Sequence, residues 1–135
     1  MRKFRPTHVA CALALALSAG TASAQFTNTY VFGDSLFDAG QYGARFTTNP
    51  GLTGAMYLGQ NWGITSTPSF QGGLDYAQGG ARVNSPSPLV PAGVPDYSVA
   101  QQVNQQLAKT PFLDPNALYQ IQGGANDIFT LVNQA

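Results

Sequence analysis

A short segment of β-branched and aromatic residues, 29–32, runs straight into Gly33-Asp34-Ser35, and two later segments end on glycine in the same way. Residues 74–77 stop at Gln78-Gly79-Gly80, and residues 117–121 give way to Gly123-Gly124-Ala125-Asn126-Asp127. Each reads as a strand feeding a turn. Helical spacing lies between them. Ser98-Val99-Ala100-Gln101 fits a capping box, in which Ser98 accepts from a first-turn N–H and Gln101 reaches back. Val99, Val103 and Leu107 then recur every four residues, which predicts a helix with one apolar face ending before Pro111. Residues 127–132 predict a second helix, with Ile128, Leu131 and Val132 on one face. Residues 40–72 read mostly as loop, with a short helix near 55–62. Pro86, Pro88, Pro91 and Pro95 make 84–96 an extended surface connection. Strands alternating with helices favour a parallel sheet covered on both sides. In such sheets the reactive residues sit at the carboxyl ends of the strands, so the three glycine exits should open on one edge.

The first 24 residues stand apart from this pattern. Arg2, Lys3 and Arg5 precede a nine-residue apolar run from Val9 to Leu17, and Ala22-Ser23-Ala24 closes the segment. That is the form of a secretory signal peptide, and the run is too short for a membrane span, which takes about 20 residues. Cleavage is expected after Ala24, which makes residues 25–135 the mature, secreted chain. Arg45, Arg82 and Lys109 then face six aspartates, a net charge of −3. Three scattered basic groups make no stripe for a phosphate backbone, so nucleic acid is not an expected partner. The single cysteine, Cys11, lies in the leader, so no intrachain disulfide is expected. The single histidine, His8, lies there too.

The strand exits carry the chemistry. Ser35 follows a strand and a glycine, so its hydroxyl can stand exposed at a tight turn. Gly79 and Gly80 let the backbone approach a ligand and aim an N–H at it. Asn126 offers a side-chain amide at a helix start, where the dipole favours negative charge. A hydroxyl with several converging N–H donors is what acyl transfer requires: the hydroxyl attacks an ester carbonyl and the donors stabilise the oxyanion. Each motif alone is ordinary, since Gly-Asp-Ser often means only a turn and Asn-Asp often only a cap. The first strand is not followed by G-x-G-x-x-G, so no nucleotide site is expected. Six scattered aspartates and no glutamate supply no metal site, and no cofactor is expected. Tyr30, Phe32, Tyr76, Tyr119 and Phe129 read as core packing; Trp62 has no place assigned by the pattern.

In order and spacing, the three blocks resemble the GDSL, or SGNH, lipases and esterases. Residues 32–40, Phe-Gly-Asp-Ser-Leu-Phe-Asp-Ala-Gly, are similar to that family's first signature block. Tyr76-Ala77-Gln78-Gly79-Gly80-Ala81 is similar to the second, and Gly124-Ala125-Asn126-Asp127 to the third. The resemblance implies a three-layer α/β/α sandwich with a parallel, flavodoxin-like sheet. It also implies hydrolysis of carboxylic esters through an acyl-serine, with a small-molecule or lipid ester as substrate. Carried over by position, Ser35 is the nucleophile. Its own N–H, the N–H of Gly80 (chosen over Gly79 on the alignment) and the Asn126 amide form the oxyanion hole. Asp34, Asp38 and Asp127 are expected to be structural.

The sequence departs from the family in three ways. Gln41 stands where the family often has Asn, and Asp75 where an Asn often precedes the second block. The Asp-x-x-His block, which supplies the general base, is absent, and residues 25–135 contain no histidine. The expectation is an N-terminal portion of such a domain, its sheet incomplete toward the C-terminus. The rival expectation is an inactive fragment or binding remnant using the same cleft. In exported bacterial relatives such a domain often precedes an outer-membrane β-barrel, which raises outer-membrane association through a missing C-terminal region by analogy alone.

Overall fold

The computed structural model describes residues 26–48, 51–90 and 92–134. The expected signal peptide, with His8 and Cys11, lies outside the described residues, as does Pro91. The elements are β1 (Asn28–Phe32), α1 (Gly54–Gln60), α2 (Val99–Lys109), β2 (Ala117–Ile121) and α3 (Ala125–Val132), with a 3-10 turn at Ser69–Gln71. None of the described helices is long and apolar enough to cross a membrane.

β1 is the centre of the sheet. On one side it pairs in parallel with β2, from Asn28 opposite Ala117 to Phe32 opposite Ile121. On the other side it meets residues 74–78: Val31 donates to the Leu74 carbonyl at 3.0 Å, Tyr76 to Val31 at 2.7 Å and Gln78 to Gly33 at 3.0 Å. The expected strand at 74–77 is thus extended and parallel to β1, yet it forms only isolated bridges. Its length is limited by the turn at Gly72-Gly73 before it and at Gly79-Gly80 after it. Its far edge is occupied by residues 67–69, where Asp75 donates to Thr67 at 3.1 Å. The spatial order, second segment, first strand, third strand, is the start of a flavodoxin-like sheet.

Alternation along β1 builds two cores. Phe32 packs with Tyr76, Ala81 and Val99, joined by Tyr30, Val103 and Tyr119. Val31 packs with Ala55 and Ala77, joined by Phe37. One face therefore carries α2 and the other α1, the layering expected of a parallel sheet. The aromatics on the α2 face stack in pairs. Tyr30 lies 5.0 Å from Tyr119, and Phe32 lies 5.5 Å from Tyr76, centroid to centroid. Trp62 packs edge-on against Phe26 at 5.0 Å.

Helix α2 begins with the capping box the sequence predicts, Ser98 and Gln101 bonding each other's backbone N–H. Its buried face differs from the expected one. Val99, Gln102 and Gln106 are buried, whereas Leu107 is 39% exposed. The two glutamines face the sheet because they have polar work there: Gln106 accepts from the Tyr76 hydroxyl at 2.7 Å, and Gln102 grips Gly33. The apolar residues of α3 are exposed, Phe129 included, which corrects its reading as a core residue. Among the described residues β2 pairs only with β1, and Ile121 at its end is 64% exposed.

Candidate active site

Gly33 carries the chain out of β1, and Gln102 holds it from both sides. The Gln102 side chain accepts from Gly33 N–H at 2.8 Å and donates to its carbonyl at 3.0 Å, both inside the protein. A side chain at Gly33 would be crowded, since a Cβ there would lie 3.0 Å from the Gln122 carbonyl oxygen. Asp34 and Asp38 then form the turn, as their expected structural role requires. Asp34 Oδ1 accepts from Leu36 N–H at 3.0 Å, and Oδ2 accepts from the Gln122 amide at 3.0 Å. The backbone folds back through Phe37 and Asp38 N–H groups, both donating to the Asp34 carbonyl at 3.1 Å. Ser35 is half-buried on this turn.

Asp38 ties the first block to the second. Its Oδ1 accepts from Gly40 at 2.7 Å and Gln41 at 2.8 Å, and its Oδ2 accepts from Gly79 N–H at 2.8 Å. The Gly79 N–H is therefore committed. Among the described residues no acceptor takes the Gly80 N–H. Gly80 has φ +80°, a conformation open to glycine but strained for other residues. Phe46 lies against Gly79, and the Ser87 side chain against Gly80, so a Cβ at either position would collide with them.

Asn126 sits in the first turn of α3, after Gly124 at φ +104°. Its amide donates to the Ala81 carbonyl at 3.0 Å, which holds it next to the glycine turn. Asp127 accepts from Val83 N–H at 3.0 Å and fixes the start of α3 to the same loop, again structural. Ser35, Gly80 and Asn126, the three residues singled out in the sequence, line one cavity of about 540 Å³ together with Gly79. The rest of its wall is Tyr42, Phe46, Leu89, Val90 and Val94.

Carboxyl groups packed under the site have shifted titration. Burial pushes Asp38 above the usual carboxylate range, against the pull of its three N–H donors. Asp75 is pushed up to about 8, chiefly by burial, with the nearby Asp38 charge adding to it. Asp75 Oδ1 accepts from Ala77 N–H at 3.1 Å, while its buried Oδ2 has no hydrogen-bond partner. Burial, with the charges of Asp96 and Asp38, pushes the Tyr42 phenol up to about 12.

Three amides that the sequence reading left without a role hold this arrangement together: Gln102, Gln122 and Gln41. Gln41, at the position where the resembling family often has Asn, donates to the Asp75 carbonyl and to Ser69 Oγ at 3.1 Å, and accepts from Phe70 N–H at 3.2 Å. A signal for Gln102 and Gln106 was present in the sequence. They sit four apart, on the side of the helix that carries Val99 and Val103.

A parallel α/β sandwich with a serine, a glycine pair and an asparagine at its strand ends is the arrangement of the SGNH class. The sequence profile of the GDSL-like lipase/acylhydrolase family matches residues 30–135. The chain belongs to that family, and its fold is the SGNH α/β fold. It is 35% identical over 150 aligned residues to a Pseudomonas putida protein described as "Uncharacterized protein in trpE-trpG intergenic region", covering 90% of this chain and 25% of that one. It is 41% identical over 75 residues to "Lipase 1" of Photorhabdus luminescens, covering 51% of this chain and 11% of the lipase. The chain thus spans a quarter or less of the length of these curated relatives. No solved structure gives a significant match.

Proposed function

We propose that this cleft hydrolyses carboxylic esters through an acyl-serine intermediate, with Ser35 as nucleophile and with Gly80 N–H, Ser35 N–H and the Asn126 amide as oxyanion donors. The observation that carries this reading is the division of labour in the glycine pair. Gly79 N–H is held by Asp38, while Gly80 N–H has no acceptor among the described residues, in a cavity that also holds Ser35 and Asn126. Membership of a lipase/acylhydrolase family supports the same reaction class.

In the proposed reaction, Ser35 Oγ bonds to the ester carbonyl carbon as its proton passes to a base. The carbonyl electron pair moves onto oxygen, where the donors stabilise it. Collapse expels the alcohol, which recovers the proton, and water then releases the acid by the same steps. A serine hydroxyl needs such a base near neutral pH, and residues 25–135 contain no histidine. In this proposal the base is a group other than a histidine of residues 25–135. The same fact favours a second reading for these residues taken alone: a cleft that binds an ester without turning it over. Export of the chain by its leader is part of the proposal as well.

The test is labelling with a fluorophosphonate, with and without imidazole as a base supplied from solution. Imidazole should raise labelling, and peptide mapping should put the label on Ser35. The Ser35→Ala chain should show neither. Failure of imidazole to produce any Ser35-dependent label would leave the binding-only reading.

A further inference from the structure

We propose that Asp75 is a positioning residue for the glycine turn: uncharged, it lets the one negative charge of a buried carboxyl pair rest on Asp38, which then holds Gly79 and keeps Gly80 turned to the cleft. This rests on the reading of Gly80 N–H as an oxyanion donor and adds the group that keeps that donor in place.

The backbone between the two carboxyls brings them together. Residues 74–78 run extended beside β1, so their N–H groups alternate in direction. Tyr76 and Gln78 donate to the carbonyls of Val31 and Gly33. Ala77 and Gly79 point the other way, and each meets a carboxyl group. Ala77 N–H donates to Asp75 Oδ1 at 3.1 Å, and Gly79 N–H donates to Asp38 Oδ2 at 2.8 Å. N–H groups two residues apart on one edge of a strand are separated by about 7 Å, so the two carboxyls are neighbours. Asp38 is 0% and Asp75 1% exposed. Gln41 joins them a second time, its N–H donating to Asp38 Oδ1 and its side-chain amide to the Asp75 carbonyl.

The interior does not treat the two alike. Three N–H groups, those of Gly40, Gln41 and Gly79, converge on Asp38. Asp75 draws on Ala77 and Ala39, and its buried Oδ2 has no hydrogen-bond partner. A charge on that oxygen would be neither solvated nor paired, and like charges so close keep one of two carboxyls protonated. The charge therefore settles on Asp38 and the proton on Asp75. Burial and the Asp38 charge push the Asp75 titration up to about 8. Asp38 is the charged group that faces it. Of the other ionisable groups around the pair, Asp34 turns to Gln122, the Arg45 guanidinium to Met56 Sδ, and Lys109 to the Tyr76 ring on the α2 face. The Tyr42 phenol, beside Asp96, feels the Asp38 charge. Val31 and residues 67–69, which flank Asp75, bring no ionisable group. Once ionised, Asp75 repels Asp38 across the segment that bears the glycine turn. Drawing the carboxylates apart loosens Asp38 from Gly79 and takes Gly80 N–H out of line. The turn is held below the Asp75 titration and slackens above it.

Carboxyl carbon-13 NMR of the purified chain from pH 5 to pH 10, with the Gly79 amide proton followed in the same samples, tests this without turnover. The Asp75 carboxyl carbon should titrate near 8, and the Gly79 amide proton should move upfield with the same midpoint as it loses its carboxylate. Asp75→Asn removes the ionisable group, and its Gly79 signal should show no such step. Imidazole-assisted fluorophosphonate labelling of Ser35 is the second readout, taken as the ratio of the unaltered chain to Asp75→Asn so that the titration of imidazole cancels. That ratio should fall through the same midpoint by on the order of 100-fold, the effect of losing one oxyanion donor. An Asp75 carboxyl that titrates in the ordinary carboxylate range overturns the inference, as does a Gly79 signal that ignores the Asp75 step. Both are read on the unaltered chain, whether or not Asp75→Asn folds. Ser35 labelling with the same pH profile in the two chains would sink the role of Asp75 alone. A Gly79 step at the Asp75 midpoint with no Ser35 labelling in either chain would sink the catalytic reading and leave the hold of Asp75 on the turn standing.

Discussion

Asp38 Oδ2 accepts a hydrogen bond from the Gly79 N–H at 2.8 Å across 41 residues of sequence, joining the serine turn to the glycine turn. The same carboxylate also holds Gly40 and Gln41. Asp38→Ala would strand three N–H donors in the interior, each costing about 1–3 kcal/mol. The expected loss is roughly 3 kcal/mol or more, read from urea unfolding. Asp38→Asn keeps one acceptor oxygen and should lose less. Equal loss in both variants would mean that the acceptor role is not what matters.

Asp75 makes stability fall with rising pH. Its carboxyl titrates at about 8 when folded against 3.8 ordinarily, so between those values the native state keeps a proton that the unfolded chain has lost. Stability should decline across that window and reach its floor above it. Asp75→Asn removes the ionisation, and at pH 9 it should be the more stable chain by on the order of a few kcal/mol. Thermal unfolding from pH 5 to pH 9 checks this; parallel curves for the two chains would refute it.

Gly80→Ala meets two separate penalties. The residue has φ +80°, where an L side chain costs about 1–2 kcal/mol, and its new methyl would press on Ser87. Adding Ser87→Gly should recover the steric part and leave the conformational part. Denaturation midpoints of the two variants separate the terms.

Gln102 should matter more than the apolar residue the helical pattern points to. Gln102→Ala leaves the Gly33 N–H without its acceptor and takes one of two donors from the Gly33 carbonyl, which keeps Gln78 N–H, and should cost roughly 1–3 kcal/mol. Leu107→Ala, at a half-exposed position, should cost less than about 1 kcal/mol. The reverse order in chemical denaturation would restore the valine–leucine face as the anchor.

Asn126→Ala tests the proposed oxyanion hole. Imidazole-assisted acylation of Ser35 should slow by on the order of 100- to 1000-fold. Stability should fall only by about 1 kcal/mol for the bond to Ala81. A rate within a few-fold of the unaltered chain would remove Asn126 from the machinery.

The strands, the capping box and the three glycine exits were legible because each is written in local residues: β-branched runs, Ser98 with Gln101, and glycine where the chain must turn. The helix expected near residues 55–62 is found at Gly54–Gln60, where Thr53 caps it by accepting from Met56 N–H at 3.3 Å, a cap the sequence pattern does not single out. What was not legible depends on partners far along the chain. Gln102 lies on the valine side of the helix, but its residue type does not name the Gly33 backbone, 69 positions away, as the group it binds. Residues 74–77 are expected as a strand, and they run parallel to β1, but only isolated bridges form because glycine turns close in on both ends. The apolar side of α3 follows the expected periodicity, yet periodicity carries no information about which neighbour covers it. For the site, the alignment with the family points to Gly80 over Gly79, and the bond from Gly79 N–H to Asp38 supports that proposed choice from a partner 41 residues away.

The pairing of β1 with β2 also has a temporal consequence. Thr27 and Asn116, at the start of that ladder, are 89 residues apart, and parallel strands cannot be joined by a tight hairpin. Closing so long a loop precedes any reward from the pairing, which slows folding. Helix α2, with its own cap, can form early from local contacts. Ser35 is synthesised long before the strand that leads to Asn126, so during biosynthesis the serine turn exists for an interval before the far wall of its cavity is made. A pulse-labelled chain should acquire protease resistance only after β2 has emerged.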